Sequence, residues 1–246
     1  AVSMIENPDV VLLDTSTAHR TCEEWAYGFQ ELSPAFYEKI ANSKRIEVPC
    51  CHASGSIALV RPLVDAGILP ADALLSCHSL TGFSGGGKKM IAEYEDPNRS
   101  QLFDAPRQYA LTQQHKHLKE MVKISACNHA PVFCPIVADY YSGMLVTVPL
   151  FKEQLCAGTG VEQIREVYRT LYNGKMVFYT ENASEGGLLS GNAMSGKDSM
   201  QIMVEGNEER ILLIARYDNL GKGASGAAVE CMNIVMKQAP ETGLDL

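Results

Sequence analysis

The stretch Ile46-Glu47-Val48-Pro49-Cys50-Cys51-His52 constrains this chain more than any other. Its front reads as a short strand. Beyond it Ile57, Val60, Leu63 and Val64 recur on one face of a helix, and Gly67 stands where a left-handed cap would end that helix. A strand passing directly into a helix is the building unit of an open parallel sheet, whose ligands collect beyond the carboxyl ends of the strands. Cys51 therefore stands at a strand–helix junction. Unpaired backbone N–H groups and the positive end of the helix dipole stabilise a thiolate there, which makes a cysteine a nucleophile. The alternative reading is that Cys50 and Cys51 are small buried hydrophobes, the commonest fate of free cysteine.

The 246 residues can bury a core around this unit, since 46% are hydrophobic, 20% charged, and no low-complexity tract or internal repeat occurs. One or two domains are expected. A formal net charge of -8 without a Lys/Arg cluster argues against nucleic acid as a partner. With no run of eighteen apolar residues and no signal-peptide start, the reading is a soluble, cytoplasmic chain with no membrane partner. Eight cysteines in a chain with a full core are read as reduced thiols. Cys50, Cys51, His52, His115, His117, Cys127 and His129 have ligand chemistry but lack paired C-x-x-C spacing, so no metal is expected.

Further signals lie along the chain. Val10 to Leu13 reads as a strand buried on both faces and ending at Asp14, so Ser16, Thr17, His19 and Arg20 stand either where a ligand is met or in an ordinary strand exit. Leu74 to Leu80 can be a strand, followed from Thr81 to Lys89 by a glycine-rich turn. Its glycines let backbone approach a phosphate and Lys88 or Lys89 adds charge, although neither G-x-x-x-x-G-K-[ST] nor G-x-G-x-x-G is matched. His115 and His117 with Glu120 bring proton-transfer groups together, and one of these histidines with Cys51 would make a nucleophile–base pair. Met144 to Leu150 alternates as a strand, Val161 to Tyr172 is an amphipathic helix, and strands Met200–Val204 and Ile211–Ala215 flank a hairpin turn at Gly206 to Glu209. That order predicts a second domain with an antiparallel sheet and helices. After small residues from Gly221 to Gly226, Ala228, Cys231, Met232 and Val235 mark a last helix. It either closes its own domain or returns to the first.

Six pieces in order over nearly the whole chain resemble one family. They are DTSTAHR with WAYGFQEL, VPCCHASG, SGGGKKMIAEYE, HKHLKEM, GMLVTVPL and DNLGKGASGAAVECMN. The chain is thereby similar to the N-acetyl-gamma-glutamyl-phosphate reductases, the arginine-biosynthesis family of the semialdehyde dehydrogenase group, and particularly to their shorter variant. The resemblance implies an α/β plus α+β fold: a Rossmann-type parallel sheet, incomplete here and completed by the C-terminal helix, with a mixed-sheet domain for catalysis and oligomerisation. Residues 1–51 and 218–246 would form the remainder of the nucleotide domain and 52–217 the catalytic domain.

The implied reaction is NADPH-dependent reduction of the small-molecule substrate N-acetyl-glutamyl 5-phosphate to its semialdehyde, in a homo-oligomer. Cys51 aligns with the nucleophile and would form a thioester, with His117 as the acid/base, Glu120 orienting it and His115 as second choice. Ser16, Thr17, Arg20 and Lys116 would receive substrate, the arginine giving the bidentate geometry phosphate favours. Ser84, Gly85, Gly86 and Asn219 match positions lining NADP. Three departures stand out. The family's opening strand and G-x-x-G-x-x-G turn are missing, so the chain is read as beginning inside the nucleotide domain, with an apolar face and sheet edge left open. Cys50 replaces a usual glycine, and His52, Ala53 and Ser54 replace Tyr-Pro-Thr. The missing turn keeps two other readings in view: a catalytically silent remnant that binds acyl phosphate or partner subunits, and a cysteine hydrolase or acyltransferase using Cys51 and His117 without nucleotide.

Overall fold

The computed structural model describes residues 2–246. Two sheets organise it. The small one has three parallel strands in the order β1 (Leu12–Asp14), β3 (Arg45–Glu47), β2 (Ala26–Tyr27). Helix α1 (Pro34–Asn42) connects β2 to β3; it begins at a proline, whose missing N–H costs nothing in the first turn. Contrary to the sequence reading, β1 is only half-buried along its length, and Val10 is exposed before it. The strand lies at an edge of its sheet, so pairing with β3 covers one side only.

The large sheet has seven strands in the order β5 (Arg107–Gln108), β6 (Val132–Ala138), β4 (Ser76–Gly82), β7 (Met144–Phe151), β10 (Arg210–Tyr217), β9 (Met200–Gly206), β8 (Val177–Tyr179). β4 pairs parallel with β6 and β8 with β9, while the other ladders are antiparallel. The period-two pattern of β7 does what it predicts: Met144, Val146, Val148 and Leu150 are buried, and Leu145, Thr147, Pro149 and Phe151 face outward. The β9–β10 hairpin turns at Gly206. Its φ of +102° and a would-be Cβ only 2.2 Å from the Arg210 carbonyl oxygen admit no side chain there.

Helices α2 (Cys51–Asp65), α4 (Leu118–Ser125) and α5 (Val161–Leu171) join the inner face of this sheet in the main hydrophobic core. Pro62 lies inside α2 and cannot donate to the Ala58 carbonyl, and the Tyr172 hydroxyl donates to it instead at 2.7 Å. Gly67, at φ +67°, follows the helix as expected. The glycine-rich stretch is no loose turn. Phe83–Gly86 forms a 3-10 turn that opens helix α3 (Gly87–Glu95), because Phe83 stacks on Tyr94 at 4.7 Å. The final helix α6 (Gly226–Val235) returns to the small sheet, where Cys231 and Ile234 pack with Ala26, Ile40 and Ile46. Among the described residues no helix is long and apolar enough to cross a membrane.

Candidate active site

β3 delivers the chain through Val48 and Pro49 to Cys50, which is extended (φ −96°, ψ 150°) and caps α2; Cys51 is the first helical residue. The junction is held from three sides. Glu120 accepts the Cys50 backbone N–H at 3.1 Å, Ser54 donates its hydroxyl to the Cys50 carbonyl at 3.0 Å, and the Tyr217 hydroxyl donates to the Cys51 carbonyl. A π-turn spanning Gly221–Ser225 presses on the same spot. A Cβ at Gly223 would lie 3.0 Å from that of Cys51, which explains the small residues before α6.

The two thiols are adjacent in sequence and line the same cavity, and each shifts the other. Cys50 lies well below the ordinary thiol range, because Cys51 pulls it down and His117 and Arg20 add to that pull against burial. Cys51 is pushed up, first by Cys50 and then by burial. The two shifts run in opposite directions, Cys50 toward the thiolate and Cys51 toward the thiol. The sequence reading put the ionised sulfur at 51; the helix dipole acts there, while His117 and Arg20, from distant parts of the chain, pull on its neighbour Cys50.

Cys50, Cys51, His52, His115, Lys116 and His117 line one wall of a cavity of about 160 Å³, with Thr81, Gly82, Gly85 and Gly86 on another. His117 stands where α4 begins; it is buried, and neither ring nitrogen has a hydrogen-bond partner among the described residues. Its ring centroid lies 4.5 Å from that of His115 and 5.6 Å from that of His52. His52 is fully engaged, Nδ1 with the Ser79 hydroxyl at 2.6 Å and Nε2 with the Tyr109 hydroxyl at 2.7 Å. Burial, and then the neighbouring His117 and His115, lower it to about 3, so it is a neutral brace. Burial followed by His117 and Lys116 lowers His115 to about 4. The sequence reading noted His52 only as a possible ligand and a departure, although its adjacency to Cys51 was the signal that places it here.

Glu120 does not orient His117, as the resemblance implied. It is buried, receives the Tyr27 hydroxyl at 2.7 Å and the Cys50 N–H on one oxygen, and faces Arg20 Nη1 at 3.2 Å with the other. Arg20 is likewise committed: Nη2 donates to the Thr15 carbonyl at 2.7 Å and Nε lies 3.3 Å from Glu47. Ser16 turns back on Asp14 through its N–H (2.8 Å) and hydroxyl (2.9 Å), and Thr17 is exposed. None of these three lines the thiol cavity, whereas Lys116 does. Arg20 lines a separate cleft of about 250 Å³ with Trp25 and Tyr27. Buried carboxylates claimed the guanidinium that a substrate phosphate was expected to use.

Of the residues matched to a cofactor site, Gly85 and Gly86 face the cavity. Ser84 and Asn219 lie behind them, Asn219 donating to the Ser84 hydroxyl at 3.0 Å and accepting the Gly143 N–H at 2.9 Å. Lys88 and Lys89 are exposed on α3, and Lys89 faces Glu93 at 3.9 Å. Gly85 and Gly86 line the same cavity as the thiols and bring no side chain to it, so backbone alone forms that part of the lining. No G-x-x-G-x-x-G turn occurs in the sequence to hold a pyrophosphate.

Residues 51–219 match the family model of the semialdehyde dehydrogenase dimerisation domain. The chain is 39% identical over 243 residues to the N-acetyl-gamma-glutamyl-phosphate reductase of Sinorhizobium medicae, covering 96% of this chain and 78% of that protein. Its identity to the reductase of the same name from Brucella ovis is 40% over the same shares. In fold it is similar to aspartate semialdehyde dehydrogenase II from Vibrio cholerae, with a TM-score of 0.70 at 18% identity, covering 93% of this chain and 73% of that one.

Proposed function

The chain belongs to the N-acetyl-gamma-glutamyl-phosphate reductase family, within the semialdehyde dehydrogenase group, and on that premise we propose that it reduces N-acetyl-glutamyl 5-phosphate to the 5-semialdehyde with release of phosphate, using NADPH, in cytoplasmic arginine biosynthesis. Membership makes the chain an oxidoreductase that works with a nicotinamide cofactor. The choice of NADP is the finer part of the proposal.

The single observation that carries this reading is a buried imidazole, His117, with neither ring nitrogen partnered among the described residues, in one cavity with Cys50 and Cys51. Which of the two sulfurs holds a proton decides which of them attacks. We assign attack to Cys51, whose backbone opens α2, and assign Cys50 as the sulfur that holds the charge at rest. The thiolate adds to the acyl carbon, the C–O bond to phosphate breaks, and phosphate leaves with the electron pair to give a thioester. Gly85 and Gly86, with Ser84 and Asn219 behind them, would hold NADPH, whose chemistry there would be to supply the hydride. His117 holds the proton for the acyl oxygen as negative charge develops there and takes it back as the C–S bond breaks, the electron pair leaving with the Cys51 sulfur and the aldehyde going free. Lys116, at the cavity wall, attracts the anionic substrate. Residues 1–51 with 218–246 serve the nucleotide side of this site and 52–217 the catalytic side.

We further propose a homo-oligomer formed through the outer face of the large sheet, where Leu145, Pro149, Phe151 and Leu212 are left at least partly open to solvent. The test of the activity is NADP-dependent oxidation of N-acetyl-glutamate 5-semialdehyde in the presence of phosphate. Turnover that disappears in Cys51→Ala supports the assignment, and turnover that survives overturns it.

A further inference from the structure

A second polar cluster lies at the carboxyl ends of the small sheet. Asp14 ends β1 and Glu47 ends β3, paired in register. His19 folds back from the following loop and places Nδ1 2.6 Å from Asp14 Oδ2. One ligand atom from each of the three lies within 4.8 Å of the other two. Glu47 is 1% exposed, and neither of its carboxylate oxygens has a hydrogen-bond partner among the described residues. The cation facing it, Arg20 Nε at 3.3 Å, belongs to a guanidinium already bonded to the Thr15 carbonyl and Glu120. Burial, and then the neighbouring Asp14, push Glu47 up to about 8, so its buried carboxyl is relieved either by keeping its proton or by a coordinated cation.

We propose that Asp14, His19 and Glu47 form a binding site for one divalent first-row metal cation. Two carboxylate oxygens and one imidazole nitrogen are a hard-to-borderline donor set, suited to the range from Mn²⁺ to Zn²⁺, with remaining positions left to water. Neighbouring oxygen or nitrogen ligands on such an ion stand roughly 3 Å apart, given bonds of about 2.1 Å. Asp14 and His19 therefore separate by a few tenths of an ångström, the metal takes Nδ1 while the imidazole keeps its proton on Nε2, and Glu47 moves inward. Ser16, which gives both its N–H and its hydroxyl to Asp14, fixes that carboxylate from behind. The side chains of His19 and Asp14 are 26% and 18% exposed, which leaves an entry path from solvent above the buried Glu47. A cation here competes with Arg20 for Glu47. Arg20 also pairs with Glu120, which holds the Cys50 N–H, so occupancy reaches the thiol pair through one chain of contacts.

The full chain can be tested with Mn²⁺, which prefers oxygen and nitrogen donors and so leaves the cavity thiols alone. Trp25, the single tryptophan of the sequence, stacks on His19 with ring centroids 4.2 Å apart, so an ion at His19 quenches its fluorescence. Loss of the free-ion electron paramagnetic resonance signal counts the bound ions independently. The expected result is one Mn²⁺ bound per chain with saturable Trp25 quenching over the same concentrations, and at least tenfold weaker binding by both readouts in His19→Gln and in Asp14→Asn. A wild-type chain that binds no Mn²⁺ at millimolar concentration overturns the proposal, whatever the variants do. So does undiminished affinity in a His19→Gln protein whose circular dichroism shows it folded.

Discussion

Glu120 of α4 accepts the backbone N–H of Cys50, the extended residue that caps α2, at 3.1 Å, although the two are 70 positions apart in sequence. The contact fixes the turn that enters α2, and the same carboxylate supplies one of the two acidic partners of the buried Arg20. Removing one member of a buried ion network leaves the others uncompensated.

Glu120→Ala is therefore expected to destabilise the fold by about 3–5 kcal/mol, the usual cost of leaving a buried charge without its partner. Urea denaturation followed by circular dichroism measures it, as a fall in midpoint at unchanged slope. Glu120→Gln, which can still accept from Tyr27 and Cys50, should lose less. Equal loss in the two variants would mean that the charge facing Arg20, and not the shape and hydrogen bonds that glutamine keeps, is what matters at this position.

The thiol pair gives a prediction in reactivity. A free thiol becomes about tenfold less reactive per unit of pH below its pKa, because only the thiolate attacks. Cys50 is held low by Cys51, His117 and Arg20, so its alkylation by iodoacetamide should stay nearly flat from pH 8 down to pH 6. Peptide mapping should find the label on Cys50. His117→Ala should restore a steep fall with acidity. Label found on Cys51 alone would show that the charge rests on the other sulfur.

Local pattern made much of this protein readable before its structure. The alternation of Met144 to Leu150 named the buried face of β7, the spacing of Ile57, Val60 and Leu63 named the core side of α2, and Gly67 named its end. These depend on neighbours within one element. The fates of Arg20 and Glu120 depend on partners 100 residues apart, and no periodicity encodes them. Identity alone made Arg20 a phosphate ligand; only the fold brings Glu47 and Glu120 against it. The stretch from Thr81 to Lys89 misled in another way, since its glycines suggest freedom. The stacking of Phe83 on Tyr94 and a helix beginning at Gly87 remove that freedom.

The neutral histidines of the cavity make stability depend on pH. His52 is lowered from 6.5 to about 3 and His115 to about 4, both chiefly by burial. Below pH 6.5 the unfolded chain binds protons at these positions that the folded chain does not, so stability falls as the pH drops from about 6.5 toward 3–4 and is fully present above that range. His52→Gln removes one of the two titrations. Its unfolding free energy, measured by urea titration at pH 7 and at pH 5, should change less between the two than that of the wild type. An unchanged difference would place the proton uptake elsewhere.

The outer face of the large sheet gives the last prediction. On β7 and β10, Phe151 is 61% exposed and Leu212 39%, and register puts them on the side away from α2 and α5. Monomeric proteins seldom leave such an apolar strip open across adjacent strands, and the family model matched over this region is a dimerisation domain. A second copy seated here would bury on the order of 800 Å² per partner, enough for a stable dimer. Sedimentation equilibrium should find the wild-type chain dimeric at micromolar concentration. A double change, Phe151→Asp with Leu212→Asp, places charges at the centre of the strip, where a partner would have to desolvate them, and should shift the chain to monomer while its circular dichroism stays native. A wild-type chain that sediments as a monomer, or a variant that keeps its size, would remove this face from consideration.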